Sequence, residues 1–326
     1  MTVTDAGLDR AIGTVLDHCF AVRPGEHVLV VGDAATRDLA EAIWQGSRAR
    51  DAEAVLLLIE ERLDGEPARP VAGAMAAADV FIVATRQSLS HMNARKEATA
   101  RGARGATLPG VTAAMLTRAM AVDLPALRAR GLAAAELFTL AGTAHLTCPN
   151  GTDMWFRIGG RQGIADDGDL TAPQAFGNLP CGEAAISPAT GHGRIAASSV
   201  TPAGILPEPM LLTVEDGQLT DATGPHGGAF LELLRSHGRD GTNLAELGVG
   251  TNDGAAFTGN VLEDEKVLGT AHVAFGASDA FGGTVYVPIH RDVVIVDPTL
   301  DVDGHRVLDA GHWLLDTDPT SAGGAR

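Results

Sequence analysis

Along roughly its first 140 residues the chain alternates between two hydrophobic rhythms, one helical and one strand-like. From residue 4 to 20, Leu8, Ile12, Val15, Leu16, Cys19 and Phe20 recur at helical spacing. Pro24-Gly25 then breaks the pattern, and the apolar run His27–Val31 reads as a buried strand. The same alternation predicts helices near 35–49, 68–77 and 91–102. Between them it predicts strands at Ala54–Ile59 and Asp79–Thr85, then a short strand ending at Leu108-Pro-Gly and helical segments to about Leu140. Strands separated by helices imply a parallel sheet covered on both faces. The expected fold is an α/β, Rossmann-like scaffold domain over residues 1–140.

Beyond about Ala141 the texture changes to Gly, Thr, Val and short alternating runs, which predict a β-rich (α+β) domain over residues 141–316. Hairpins are expected at Val214-Glu-Asp-Gly-Gln-Leu219 and Val302-Asp-Gly-His-Arg-Val307. Glycines are attributed to the positive φ that such turns need. The last residues, 317–326, lack apolar periodicity and are expected to form a flexible tail.

The chemistry concentrates between Thr270 and Asp292. Thr284–Val296 alternates as a strand, with Val285, Val287, Ile289 and Val293 on one face and His290 and Asp292 on the other. An imidazole and a carboxylate two residues apart in a strand leave the same surface side by side, as a cation requires. His272 stands in a similar setting, next to Ala271 and Val273 and near Phe275. His192, His226, His237, His305 and His312 read as ordinary surface or core histidines. Two further carboxylates lie in glycine-rich surroundings: Glu183 in Asn-Leu-Pro-Cys-Gly-Glu (178–183) and Glu246 in Glu-Leu-Gly-Val-Gly-Thr-Asn (246–252).

Taken in order and spacing, these segments, with Asp264–Gly276 and Ile289-His-Arg-Asp292, resemble the M29 metallopeptidases of the aminopeptidase T, or leucyl aminopeptidase, type. The resemblance implies metal ligands at Glu183, Glu246, His272, His290 and Asp292. It also implies two divalent ions (Zn, Mn or Co), a homodimer, and a hydrolase in which water held between two metals cleaves an N-terminal peptide or small amide bond. Gly151-Thr-Asp153, ahead of Trp155–Arg161, resembles that family's entry into its catalytic domain. The peptidases carry tyrosines between the second glutamate and first histidine, whereas the one Tyr here is Tyr286.

The same superfamily contains a second chemistry, a mononuclear Fe(II) dioxygenase that opens the ring of dihydroxypyridine with two histidines and an aspartate. Its His-x-Asp pair matches His290 and Asp292, and its first histidine lies where this chain has Glu246. An iron-dependent alternative would use His272, His290 and Asp292.

Lys266 and Glu265 are candidate catalytic groups. The chain has 24 Lys and Arg, of which only Lys96 and Lys266 are lysines, so a lysine six residues from His272 points to a local need for a compact ammonium. Its bland alternative is a solvated partner of Glu263 or Asp264. Glu265 would serve as general base or as support for a ligand.

Other signatures are missing. The turn after the first strand is Gly32-Asp-Ala-Ala, not a dinucleotide fingerprint, and phosphate-loop, Gly-x-Ser-x-Gly and His-Glu-x-x-His motifs are absent. A net charge of −17 disfavours nucleic acid and anionic membranes as partners and favours divalent cations, leaving a small molecule or peptide as the expected substrate. Cys19, Cys148 and Cys181 are too widely spaced for a disulfide framework, and Cys181 reads as structural. With neither a basic, apolar leader nor a run of 18 apolar residues, a cytoplasmic protein is expected.

Overall fold

The computed structural model describes residues 5–60, 65–90 and 92–316, so the expected tail at 317–326 lies outside the described residues. Strands are numbered along the chain. The first eight are β1 (His27–Gly32), β2 (Glu53–Leu58), β3 (Val80–Ala84), β4 (Arg104–Thr107), β5 (Thr143–Cys148), β6 (Thr152–Arg157), β7 (Ile164–Asp166) and β8 (Phe176–Asn178). They continue as β9 (Glu183–Ile186), β10 (Thr190–Val200), β11 (Gly204–Glu215), β12 (Gln218–Thr223), β13 (Leu244–Gly250), β14 (Ala271–Gly276) and β15 (His290–Ile295). The last are β16 (Thr299–Val302), β17 (His305–Asp309) and β18 (His312–Trp313).

Two compact units share the chain. One comprises residues up to Val122 together with Gly168–Cys181, the other Asp123–Asp167 and Gly182 onward. In the first, β1–β4 and β8 form a parallel sheet of order β2-β1-β3-β4-β8. Helices α1 (Asp5–Gly13), α2 (Arg37–Arg48), α3 (Arg69–Ala77), α4 (Asn93–Ala100) and α5 (Ala113–Ala119) alternate with these strands where the hydrophobic rhythm predicts them. The stripe expected from 4 to 20 is one helical run, α-helical to Gly13 and wound more loosely as a π-helix over Thr14–Cys19. Val28, Leu29, Val30 and Val31 are buried, as is all of β3, because strands covered on both faces have no side for solvent. Burying each such side chain is worth about 1.5–3 kcal/mol.

The second unit is built on a 13-stranded sheet of order β18-β17-β16-β5-β6-β10-β15-β14-β13-β9-β7, with β11 and β12 continuing from β10. Both expected hairpins form, as β11–β12 and β16–β17. Helix α6 (Leu124–Leu140) belongs to this unit, whereas the boundary near residue 140 assigned it to the first. Its start is set locally: the Asp123 side chain accepts from Ala126 N at 3.1 Å, and Pro125 stands in the first turn. Its buried residues Leu127, Gly131, Ala134, Ala135 and Phe138 form one stripe that packs on β7 and β9, and that packing decides its allegiance. Later in the chain come α7 (Gly227–Arg235) and the single turn α8 (Val261–Asp264).

The strand expected over 284–296 is shorter, since only His290–Ile295 pairs. Pro288 has no N–H to give a ladder. The segment before it is instead held as a loop by Ser278 N donating to Val285 O at 2.9 Å and Ala277 N donating to Ile289 O at 2.8 Å. Among the described residues no helix is long and apolar enough to cross a membrane, and none of the three cysteines is in a disulfide.

Candidate metal centre

Four adjacent strands of the second unit, β9, β13, β14 and β15, carry the candidate residues. Register places Glu246, Ala274 and Asp292 opposite one another in a row. Gly248 and His272 face each other in the next row, with Gly276 opposite His290 and Gly250 opposite Glu183 in flanking rows. Directly paired residues and residues two apart share a face. Glu183, Glu246, His272, His290 and Asp292 therefore emerge on one face, interleaved with Gly248, Gly250, Ala274 and Gly276. The opposite face carries Ile186, Leu247, Val249, Ala271, Val273, Phe275, Val293 and Ile295, all in the hydrophobic core.

The small residues are the space in which the polar ones lie. A Cβ at Gly248 would stand 2.0 Å from His272 Nε2, and one at Gly276 would stand 2.2 Å from the Ile289 carbonyl. Gly248 does not have positive φ. Its role is room for an imidazole, where the sequence reading credited glycines to turns.

Glu246 is the centre of the cluster. Its Oε1 lies 3.2 Å from His272 Nε2, and its Oε2 lies 3.1 Å from His290 Nε2. Around it are two sets of groups whose ligand atoms lie within 4.8 Å of one another: Glu183–Glu246–His272 and Glu246–His290–Asp292. The set His272, His290 and Asp292, expected for a single iron, is not one of them. His272 sits one row along the sheet from Asp292, and the carboxylate of Glu246 separates the two imidazoles. The second set is the more open. Side-chain exposure is 19% at Asp292 and 7% at His290, against 10% at Glu183 and 1% at His272.

His290 is held for ligation by its other ring nitrogen, as Nδ1 donates to the Ala277 carbonyl at 2.8 Å and leaves Nε2 facing Glu246 and Asp292. The Phe281 ring stacks on the imidazole at 5.1 Å. This support was not foreseen, because Phe281 and Ala277 carry no motif of their own.

Lys266 is fully buried. Its Nζ donates to Glu265 Oε1 at 2.6 Å and to Glu183 Oε1 at 3.2 Å, so its partners are the cluster and not Glu263 or Asp264. Those two acids are used locally instead. Glu263 accepts from Ala256 N, and Asp264 accepts from Thr258 N, Gly259 N and Ser199 Oγ. None of His192, His226, His237, His305 and His312 joins a potential metal cluster among the described residues.

Electrostatically the cluster draws positive charge. Burial pulls the His272 pKa down, but Glu246, Glu183 and Glu265 outweigh it and hold the imidazole up at about 9. Burial likewise opposes the charge on His290, and Asp292 and Glu246 reverse that effect to leave it well above its ordinary value. Asp292, raised by burial, is brought down to about 2 by His290 first and then by His272 and Lys266. Glu246 is also held below the usual carboxylate range, because the two imidazoles overcome its burial. Burial pushes Glu265 up to about 8 against the pull of Lys266, while Glu183 and Asp292 reinforce the rise. Lys266 is raised, since the neighbouring carboxylates outweigh its burial.

A divalent cation fits these groups. Glu246 Oε2 is buried and, although close to His290 Nε2, has no hydrogen bond. A buried carboxylate oxygen without a hydrogen bond is costly, and a metal ion would satisfy it. Oxygen and imidazole donors without thiolate suit a first-row divalent metal.

The two-unit architecture is shared with other solved enzymes. One is the 2,5-dihydroxypyridine dioxygenase of Pseudomonas putida KT2440, with a TM-score of 0.82 at 17% identity over 97% of this chain and 99% of that one. Another is wild-type AmpT from Thermus thermophilus, with a TM-score of 0.69 at 17% identity over 96% of this chain and 100% of that one. The chain has the fold that these two structures share, and metal dependence accords with the donor set. The chain belongs to the NicX family, 2,5-dihydroxypyridine 5,6-dioxygenase, whose pattern it matches over residues 8–314. No curated protein matches the chain by sequence. The match corrects the expectation of an aminopeptidase-like hydrolase. The family that fits residues 8–314 is that of the dioxygenase, and AmpT shares only the fold.

Proposed function

We propose that this protein is an Fe(II)-dependent dioxygenase that opens the ring of a hydroxylated nitrogen heteroaromatic of the dihydroxypyridine type, with Glu246, His290 and Asp292 as the iron-holding residues. The observation that carries this reading is the family match across residues 8–314. In such a reaction both atoms of O2 enter the product as one ring bond breaks. The metal supplies the means to bring O2 and an electron-rich ring together.

The chain's own residues supply the rest. Asp292 and His290 lie on the more exposed side of the cluster, where a substrate can approach. Ala277 and Phe281 fix the His290 ring, so its Nε2 keeps one direction. Glu246 spans both imidazoles and holds negative charge at neutral pH because its pKa is lowered. Lys266, fully buried, donates to Glu183 and Glu265 and so holds the Glu183 carboxylate in place.

The test is oxygen uptake by Fe(II)-loaded protein supplied with 2,5-dihydroxypyridine. One O2 consumed per ring lost, monitored by an oxygen electrode and by ring absorbance, is the expected result. Absence of uptake with this compound and with other dihydroxylated pyridines would sink the reading.

A further inference from the structure

The two halves of the cluster are built differently. In the outer half, Glu246–His290–Asp292, the imidazole has its second nitrogen tied to a backbone carbonyl, as metal-binding histidines characteristically do. In the inner half, Glu183–Glu246–His272, the corresponding nitrogen, His272 Nδ1, is buried without any hydrogen-bond partner. The inner half has something the outer lacks. An ammonium reaches Glu183 Oε1 at 3.2 Å, while the other oxygen of the same carboxylate lies 3.5 Å from His272 Nε2.

Local sequence delivers that ammonium. Asn252 N donates to Lys266 O, and Leu268 N donates to Asn252 O, so the 266–268 backbone is laced to the chain leaving β13. Gly250 permits the approach, because a Cβ there would stand 2.0 Å from the Val267 carbonyl oxygen. Gly250 is also the residue paired with Glu183, so the same close contact that brings in the backbone aims Lys266 at the glutamate.

We propose, resting on the ring-opening reading above, that Lys266 is the built-in cation of the inner half and is the group that keeps a second metal ion off Glu183. A divalent ion placed on Glu183 would face the ammonium across a single carboxylate, in a buried setting where like charges repel strongly. The ammonium satisfies Glu183 and Glu265 and leaves Glu246, His290 and Asp292 to the metal. Lys266 is on this account a positioning residue, and its effect is read in metal count.

Chelator-treated protein is titrated anaerobically with Fe(II), and in parallel with Mn(II) as an oxygen-stable probe, with bound metal counted by elemental analysis. The wild type is expected to saturate at one equivalent per chain. Lys266→Gln frees Glu183 and Glu265 and is expected to take two, while Lys266→Arg, which keeps the charge, is expected to return the count to one. Two tight equivalents in the wild type would overturn the proposal, as would a folded Lys266→Gln that still takes one. Should Lys266→Gln not fold, Lys266→Met, which keeps the length and apolar body of the side chain without its charge, takes its place, with the same two equivalents expected and one equivalent overturning the proposal. Oxygen uptake is scored separately: one metal without uptake sinks the ring-opening function and leaves the count standing, whereas two metals with uptake sinks the role of Lys266 alone.

Discussion

The strands β9, β13, β14 and β15 present two faces made from alternate residues of the same segments, and the faces could hardly differ more. One is continuous apolar core, with Val273, Phe275, Val293 and Ile295 all fully buried. The other sets carboxylates and imidazoles among glycines and an alanine. On the apolar face large side chains fill space; on the polar face missing side chains create it. Stability and chemistry are thus separated by a single-residue shift in register.

The sharpest way to break this separation is through Glu246. Glu246→Ala is expected to empty the outer half, with metal content falling to background and ring-opening activity lost, while the melting transition of the metal-free protein persists. Elemental analysis and calorimetry read the two effects, and retained metal would show that Glu246 is not a ligand. From the other face, Phe275→Ala is expected to destabilise by about 3–5 kcal/mol through lost burial and a cavity. Its metal stoichiometry after refolding should match the wild type. A denaturant titration paired with a metal assay checks both, and a protein that lost metal but not stability would invert the assignment.

Smaller effects sharpen the contrast. Gly248→Ala places a methyl group where the His272 ring lies and is expected to weaken metal binding by about 10–100-fold through the shared Glu246, the range seen when support around a ligand is removed. Competition with a chelator of known affinity measures it, and unchanged affinity would mean that the inner imidazole is uncoupled from the metal.

Proton competition should give the gentlest signature. In metal-free protein His272 at about 9 and His290, also raised, stabilise the fold fully below the unfolded imidazole value near 6.5, and that contribution is lost as pH climbs through about 9. Glu265, raised to about 8, acts in the same direction from its unfolded value near 4.5 upward. Asp292, at about 2, contributes above its unfolded value near 3.8 and is lost as pH falls toward 2. Melting temperature without metal should therefore decline from pH 6.5 to 9. With metal bound the His290 proton is displaced, and the optimum should move upward. Coincident profiles with and without metal would disconnect the imidazoles from the ion.

Much of this arrangement was legible in the chain. The helical and strand rhythms located the first sheet because each buried strand is a continuous apolar run. The His-x-Asp spacing at 290 and 292 revealed a shared face because strand periodicity is strictly two. Three features escaped for one physical reason, long-range packing. Helix α6 joined the second unit through contacts with β7 and β9 that no local pattern announces. Lys266 found partners in its neighbour Glu265 and in Glu183, 83 residues away, and not in Glu263 or Asp264. Gly248 looked like a turn former and proved to be a berth for His272, visible only once β13 and β14 are in register. The family match departs from the motif reading because one fold serves both a dioxygenase and AmpT, so a likeness in fold does not select a chemistry.

The chain passes from the second unit to the first at Gly168 and returns at Gly182, one residue before Glu183. No single scission can therefore separate the two halves of this molecule intact. A fragment beginning at residue 182 keeps all five candidate ligands but forfeits α6, β5, β6 and β7, and one beginning at 123 carries β8 away from the sheet it completes. Dissection by simple truncation would yield incomplete pieces from either side, and an engineer wishing to isolate the half that carries the candidate ligands would have to excise 168–181 and splice the ends.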